Sequence, residues 1–220
     1  MEENNLLWGG LIWIWEKISD FVLWADILTD LSDETLITYQ PQYEYNQWAE
    51  YETRNYCTLF SAFTMLSYLK NKQFLVSDIK CVANKMILDW KLDPNNWAYL
   101  SDAIDYTRRW YNERNSDKIS SYSVDLTDKA LLEQIAQKSW WLIQMGYRTS
   151  TELYNDTQDN WSAILGNYPK WWWHAVSKYW INIIDNYFWL KKFNRYSFDK
   201  FDELIANWVV FRTWYIFLNV

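Results

Sequence analysis

The stretch QWAEYETRNYCTLFSAFTMLSYLK, residues 47–70, decides how the rest of the chain reads. From Cys57 onward the apolar residues Leu59, Phe60, Phe63, Leu66 and Leu69 fall at helical spacing. That spacing puts Cys57 in the first turn of a helix. The unpaired N–H groups and the helix dipole there favour a thiolate over a thiol. A thiolate is the attacking species in thiol catalysis, so a cysteine enzyme would place its nucleophile here. The same segment also reads as a core helix carrying a small buried cysteine.

Composition narrows the classes. The chain has 220 residues, a net charge of -7 and a pI near 4.8. That length is enough for one two-lobed domain or two small ones. The acidic balance argues against nucleic acid as a partner. Two cysteines, Cys57 and Cys81, make no disulfide framework and point to a reducing compartment.

The tryptophans are anomalous. There are 18 of them against 4 glycines, where glycine alone averages about 7% of residues. Many stand where glycine is expected. Trp171, Trp172 and Trp173 follow a turn at Tyr168, Pro169 and Lys170, and Trp90 and Trp97 flank the Asp93–Pro94 loop. Trp140, Trp141 and Trp208 fall at expected helix ends. We read most of them as glycines from a source in which UGA encodes glycine. UGG codons at these positions would overturn that reading. The competing class is a Trp-rich carbohydrate-binding or membrane-interface protein.

Taken in order, residues 1–34 are expected to form an N-terminal apolar or amphipathic extension. It lacks the basic n-region of a secretion signal. Its apolar run is too short to span a bilayer, and residues 6–28 are where any membrane association would arise. Residues 36–45 contain Pro41 and read as an edge strand. Ser77 is expected to cap a helix over 78–88 with Cys81 in its core face, and Ser101 a third helix through Tyr111. Residues 112–121 read as a linker between a helical lobe, 35–115, and a β-rich lobe, 116–220. In the second half we expect strands at 121–126, 142–147, 174–179, 181–187 and 209–218. Helices are expected after Thr127 and Ser197, with a long loop over 154–169. The fold class is therefore α+β.

His174 is the only histidine. A lone cysteine with a distant histidine and an asparagine is the set needed for a thiol nucleophile, its base and an orienting group. Asn186 is the candidate orienter, with Asn182 and Asp185 as alternatives. Strand alternation puts Asn182 and Asn186 on one face and Asp185 on the other.

Five short runs now resemble, in order, those of the papain-like cysteine peptidase family. Asn46, Gln47 and Trp48 resemble its Asn-Gln-Gly, and residues 57–62, CTLFSA, its Cys-Trp-Ala-Phe-Ser-Ala. Asn96, Trp97, Ala98 and Tyr99 resemble its Asn-Gly-Gly-Tyr cleft loop. Residues 172–176, WWHAV, resemble Gly-Gly-His-Ala-Val, and 184–189, IDNYFW, resemble Ile-Lys-Asn-Ser-Trp-Gly. Tryptophan stands for glycine in four of the five. The resemblance covers about residues 35–220. It implies a helical lobe followed by an antiparallel β lobe, with Cys57 as nucleophile, His174 as base and Asn186 orienting the imidazole. It also implies Gln47 as a side-chain oxyanion donor, and Trp97, Ala98, Tyr99 and Trp173 along the substrate cleft. The chain departs from the family in three ways. The connection from Gln47 to Cys57 is longer, Thr58 replaces the tryptophan after the nucleophile, and Tyr187 and Phe188 follow Asn186 in place of Ser-Trp.

The expectation is a cysteine-type endopeptidase acting on peptide or protein substrates, cytoplasmic or particle-associated, with no cofactor and no metal. One His and two separated Cys lack ligand spacing, and no phosphate-binding G-x-x-x-x-G-K-[ST] run appears. The alternatives are a thiol amidase, isopeptidase or acyltransferase using the same pair, and a non-catalytic interaction or structural module on the same fold.

Overall fold

The computed structural model describes residues 45–47, 51–125, 142–149, 172–179, 182–184, 194–195, 206 and 211–220. All of them lie in the compact unit Tyr39–Val220. The expected extension over 1–34 with its apolar run at 6–28, the strand over 36–44, the helix after Thr127, the 154–169 loop and the helix begun by Ser197, apart from helical Ala206, lie outside the described residues.

A single 3-10 turn, Tyr51–Thr53, leads into α1, Cys57–Leu69, followed by α2, Val76–Leu88, and α3, Leu100–Arg114. The strands are β1, Ile119–Asp125; β2, Leu142–Thr149; β3, Trp172–Tyr179; β4, Asn182–Ile184; β5, Asn194–Arg195; and β6, Thr213–Asn219. They form one antiparallel sheet in the order β1-β6-β2-β3-β4-β5. Helices come first and strands after them, so the class is α+β.

Helix α1 is buried without interruption from Cys57 to Ser67. A helix covered on all sides belongs in the middle of a fold. It packs on α2 and α3 on one side and on β2, β3 and β6 on the other. Three of its four buried small polar residues, Ser61, Thr64 and Ser67, bond to a helix carbonyl, while the Thr58 hydroxyl has no partner among the described residues. Thr64 donates to the Phe60 carbonyl at 2.9 Å and Ser67 to that of Phe63 at 2.7 Å. By contrast, α2 buries only Ile79, Val82, Ala83 and Met86. Cys81 falls between those positions and is exposed, not a core residue as the sequence suggested. The main core joins the three helices through Phe60, Phe63, Ile79, Met86, Trp110 and Tyr111 and reaches the sheet at Ile119 and Phe217.

Several boundaries differ from expectation for local reasons. Ser77 does not cap α2. The cap is Leu75, whose N–H donates to the Asp78 carboxylate at 2.9 Å, so the reaching acid starts the helix two residues earlier. Helix α3 starts at Leu100 and runs to Arg114, through the first part of the expected linker. Its last turn is held by Asn115 donating to the Tyr111 carbonyl at 2.8 Å. Asn112 both donates to the Ile119 carbonyl and accepts its N–H, which joins helix to strand with only 115–118 between them. Strand β6 begins at Thr213 because Phe211 leaves the ladder and donates its N–H to the Gly146 carbonyl at 2.9 Å.

Helices α1 and α2 end in the same way. In each, the residue after the cap has positive φ, with Asn71 at 47° and Trp90 at 58°. The Lys72 N–H reaches the Ser67 carbonyl at 3.0 Å, and the Lys91 N–H reaches that of Met86 at 2.8 Å. This is the Schellman closure, whose left-handed residue is ordinarily glycine or asparagine. Trp90 sits there with 94% of its surface exposed.

Candidate functional site

Cys57 is the first residue of α1, and Tyr56, the cap, makes no side-chain bond to the first turn. No acidic residue lies in that turn. The early N–H groups of the helix therefore receive no capping oxygen from Tyr56. Cys57 is buried at 7% exposure, against Leu100 and Ala175.

Two loops flank it. Asn55 donates to the Pro94 carbonyl at 2.9 Å, which ties the segment before Cys57 to the 93–98 loop. That loop turns at Asp93, whose carboxylate accepts the Asn95 N–H at 2.9 Å, and closes with a bridge between Leu92 and Ala98. The closure presents Trp97 and Ala98 beside the thiol. Tyr99 lies just beyond, 66% exposed, with its ring edge-on to Trp97 at 5.2 Å.

His174 comes from β3, opposite Tyr147 of β2. Both are buried, and their rings meet edge to face at 5.7 Å. On the alternate face of β3, Ser177 bonds to α1, Ala175 packs against Cys57, and Trp173 stacks on Phe211 at 4.0 Å with an 8° interplanar angle. The Arg148 guanidinium lies over the Trp173 ring, 5.3 Å from its centroid.

These elements enclose a narrow cleft whose inner space is about 10 Å³, room for roughly one water, lined by both Cys57 and His174. Trp97, Ala98 and Trp173 also line it, whereas Tyr99 does not. Leu100, Gly146, Ala175 and Phe211 supply an apolar side wall. Gln47 is elsewhere. It is fully buried, donates through Nε2 to the Arg54 carbonyl at 3.0 Å, and accepts from Thr53 at its own carbonyl at 2.7 Å. Asn186 and Asp185 lie outside the described residues, and Asn182 is described only as a residue of β4 opposite Tyr179.

Residues missed in the sequence complete the surroundings: Leu100, Gly146 and Phe211 at the cleft, Tyr147 against the His174 ring, and Gln144 and Ser177 beneath α1. Gln144 had a visible signal, a polar residue between Ile143 and Met145, whereas Ser177, next to Lys178, had none. Gly146 is where Phe211 comes close, and a Cβ added there would lie 2.3 Å from the Phe211 ring. Among the described residues no cluster of His, Cys, Asp and Glu could hold a metal ion.

No protein-family model matches the chain, and neither a curated protein nor a solved structure matches it.

Proposed function

We propose that this chain is a cysteine-type peptidase of papain-like fold and mechanism, in which Cys57 attacks a peptide carbonyl and His174 moves the proton. The observation that carries the reading is the shared cleft. It joins the uncapped head of a buried helix, bearing a thiol, to the only histidine of the chain, more than a hundred residues away. Cys57 attacks after its proton has passed to His174. Attack forms a C–S bond and a tetrahedral oxyanion, for which the Cys57 backbone N–H is the candidate donor; Gln47 would have to give up its bond to the Arg54 carbonyl to serve as a second. His174 then protonates the leaving amine. Water, with its proton taken by His174, releases the acyl group. Asn186 is the candidate orienter of the imidazole, and the apolar wall suits an uncharged substrate side chain. An amine in place of water would make the same pair a transferase.

A specific feature favours the non-catalytic reading for the chain with tryptophan throughout. The Trp173 indole, stacked on Phe211, occupies the space beside the thiol. Glycine at 173 would remove it.

The test follows the rate of Cys57 alkylation against pH in the glycine form and in the form with tryptophan throughout. Both carry Cys81→Ala because Cys81 is exposed. A reactive plateau extending well below pH ~8.5, the ordinary thiol value, and lost in His174→Ala, supports the pair. Hydrolysis of a fluorogenic peptide, lost in Cys57→Ser, supports the activity. Alkylation that follows an ordinary thiol titration and ignores His174 would end the peptidase reading in favour of the interaction module.

A further inference from the structure

We propose that Gln144 is a positioning residue that sets the Cys57 end of α1 against the strand carrying His174; the inference rests on the thiol–imidazole reading above. Gln144 lies on β2, fully buried, opposite Ser177 of β3. Its Nε2 donates to the Thr58 carbonyl at 2.6 Å and to the Ser61 hydroxyl at 2.5 Å. Ser61 in turn donates to the Thr58 carbonyl at 3.0 Å, and Ser177 donates to the Ser61 carbonyl at 2.8 Å. The orientation of the carboxamide is settled by chemistry, because a carbonyl oxygen can only accept and so must face the NH₂ end.

The four residues thus form one stitch. On the helix side it grips the residue after Cys57 and the next turn. On the sheet side it grips a cross-strand pair, and Ser177 is three residues along the same strand from His174. A helix carbonyl has two lone pairs, so Thr58 and Ser61 can take these bonds beyond the helical ladder. Leucine or methionine would fill the space, and an apolar contact tolerates sliding and rotation of the helix. Two directed hydrogen bonds do not. Thiol–imidazole chemistry needs placement to within about 0.5 Å, and an error of about 1 Å can cost roughly 100-fold in rate. Burying a carboxamide is costly unless it is bonded; the Nε2 bonds offset part of that cost while the buried Oε1 has no partner among the described residues, which fits a polar group held for geometry.

The experiment uses the full chain with Cys81→Ala, comparing Gln144→Met, Ser177→Ala and, as a buried control away from the cleft, Thr107→Val. Alkylation of Cys57 by iodoacetamide is followed across the acid and alkaline range, with thermal melts and peptide hydrolysis alongside. The expected result is that Gln144→Met still melts cooperatively. Its low-pH alkylation falls roughly 10- to 100-fold toward ordinary thiol behaviour, kcat falls more than KM changes, and Thr107→Val keeps the parent profile. Ser177→Ala should fall between. If Gln144→Met does not fold, Ser61→Ala, which removes one acceptor and leaves the other, is held to the same criterion. A parent with the low-pH plateau and variants that keep it would overturn the proposal and leave the thiol–imidazole pair standing. A parent with no plateau would overturn both.

Discussion

Trp90 shows at one residue what the tryptophan excess means physically. Its left-handed backbone costs an L-residue roughly 1–2 kcal/mol, and its side chain recovers nothing because 94% of it is exposed. Asn71 fills the equivalent place on α1, with a side chain that tolerates the conformation. Trp214, fully buried in β6, and Trp110, packed on Phe63 at 5.2 Å and Phe74 at 5.8 Å, are used as tryptophans. Trp90→Gly is therefore expected to stabilise by about 1 kcal/mol, raising Tm by about 2–4 °C, whereas Trp214→Gly should prevent folding; thermal melts of the two variants decide. The corresponding codons are expected to be UGA at 90 and UGG at 110 and 214. Gln47 yields a second residue-scale prediction. Its carboxamide is committed to the Arg54 carbonyl and lies off the cleft, so Gln47→Ala should cost about 1–3 kcal/mol of stability and leave low-pH Cys57 alkylation in place. Peptide hydrolysis slowed by roughly a hundredfold or more, at unchanged stability, would instead make it an oxyanion donor.

Among the elements, the joints are polar while the cores are apolar. The end of α1 meets the end of α3 and the last strand at Asp117. There Lys70 donates to Asp117 at 2.7 Å and to Asn219 at 2.7 Å, and Tyr111 donates to Asp117 at 2.6 Å. The Lys70 and Tyr111 hydrogen bonds hold the Asp117 carboxyl down to about 2, from an ordinary 3.8. A carboxyl depressed by folding contributes stability that is present above its unfolded pKa and lost as pH falls through the folded one. Asp117→Asn should thus lower the urea midpoint at pH ~7, and the gap from the parent should close between about pH 4 and about pH 2. A gap unchanged across that range would mean the carboxylate is not what holds the joint. The side chain is well exposed, so the effect is expected to be modest and to shrink with salt.

For the whole molecule, the chain's last strand is central. Strand β6 lies between β1 and β2, with Trp214, Ile216 and Phe217 buried. Removing residues 211–220 would leave β1 and β2 with facing unpaired edges and strip the aromatic floor from the cleft. The truncated chain is expected to lose its cooperative urea transition, and a transition retained at the parent midpoint would refute the central role of β6. The helix of Cys57 and the strand of His174 come from opposite halves, and the cleft exists only where the sheet closes on α1.

Local periodicity and punctuation determined a good deal without the structure. The spacing after Cys57 marked α1, and the Asp93–Asn96 turn was legible because its residues bond within four positions. The division into helices and then strands determined the α+β class. Cys57 and His174 stood out because reactive side chains are few here. Tertiary structure alone decided what depends on partners distant in sequence. The exposure of Cys81 depends on which face of α2 meets α1. The place of β6 between β1 and β2 depends on pairing across about a hundred residues. Gln144 and Ser177 owe their positions to a helix and a sheet meeting in space, and no short-range pattern encodes a contact whose two sides are 83 to 116 residues apart.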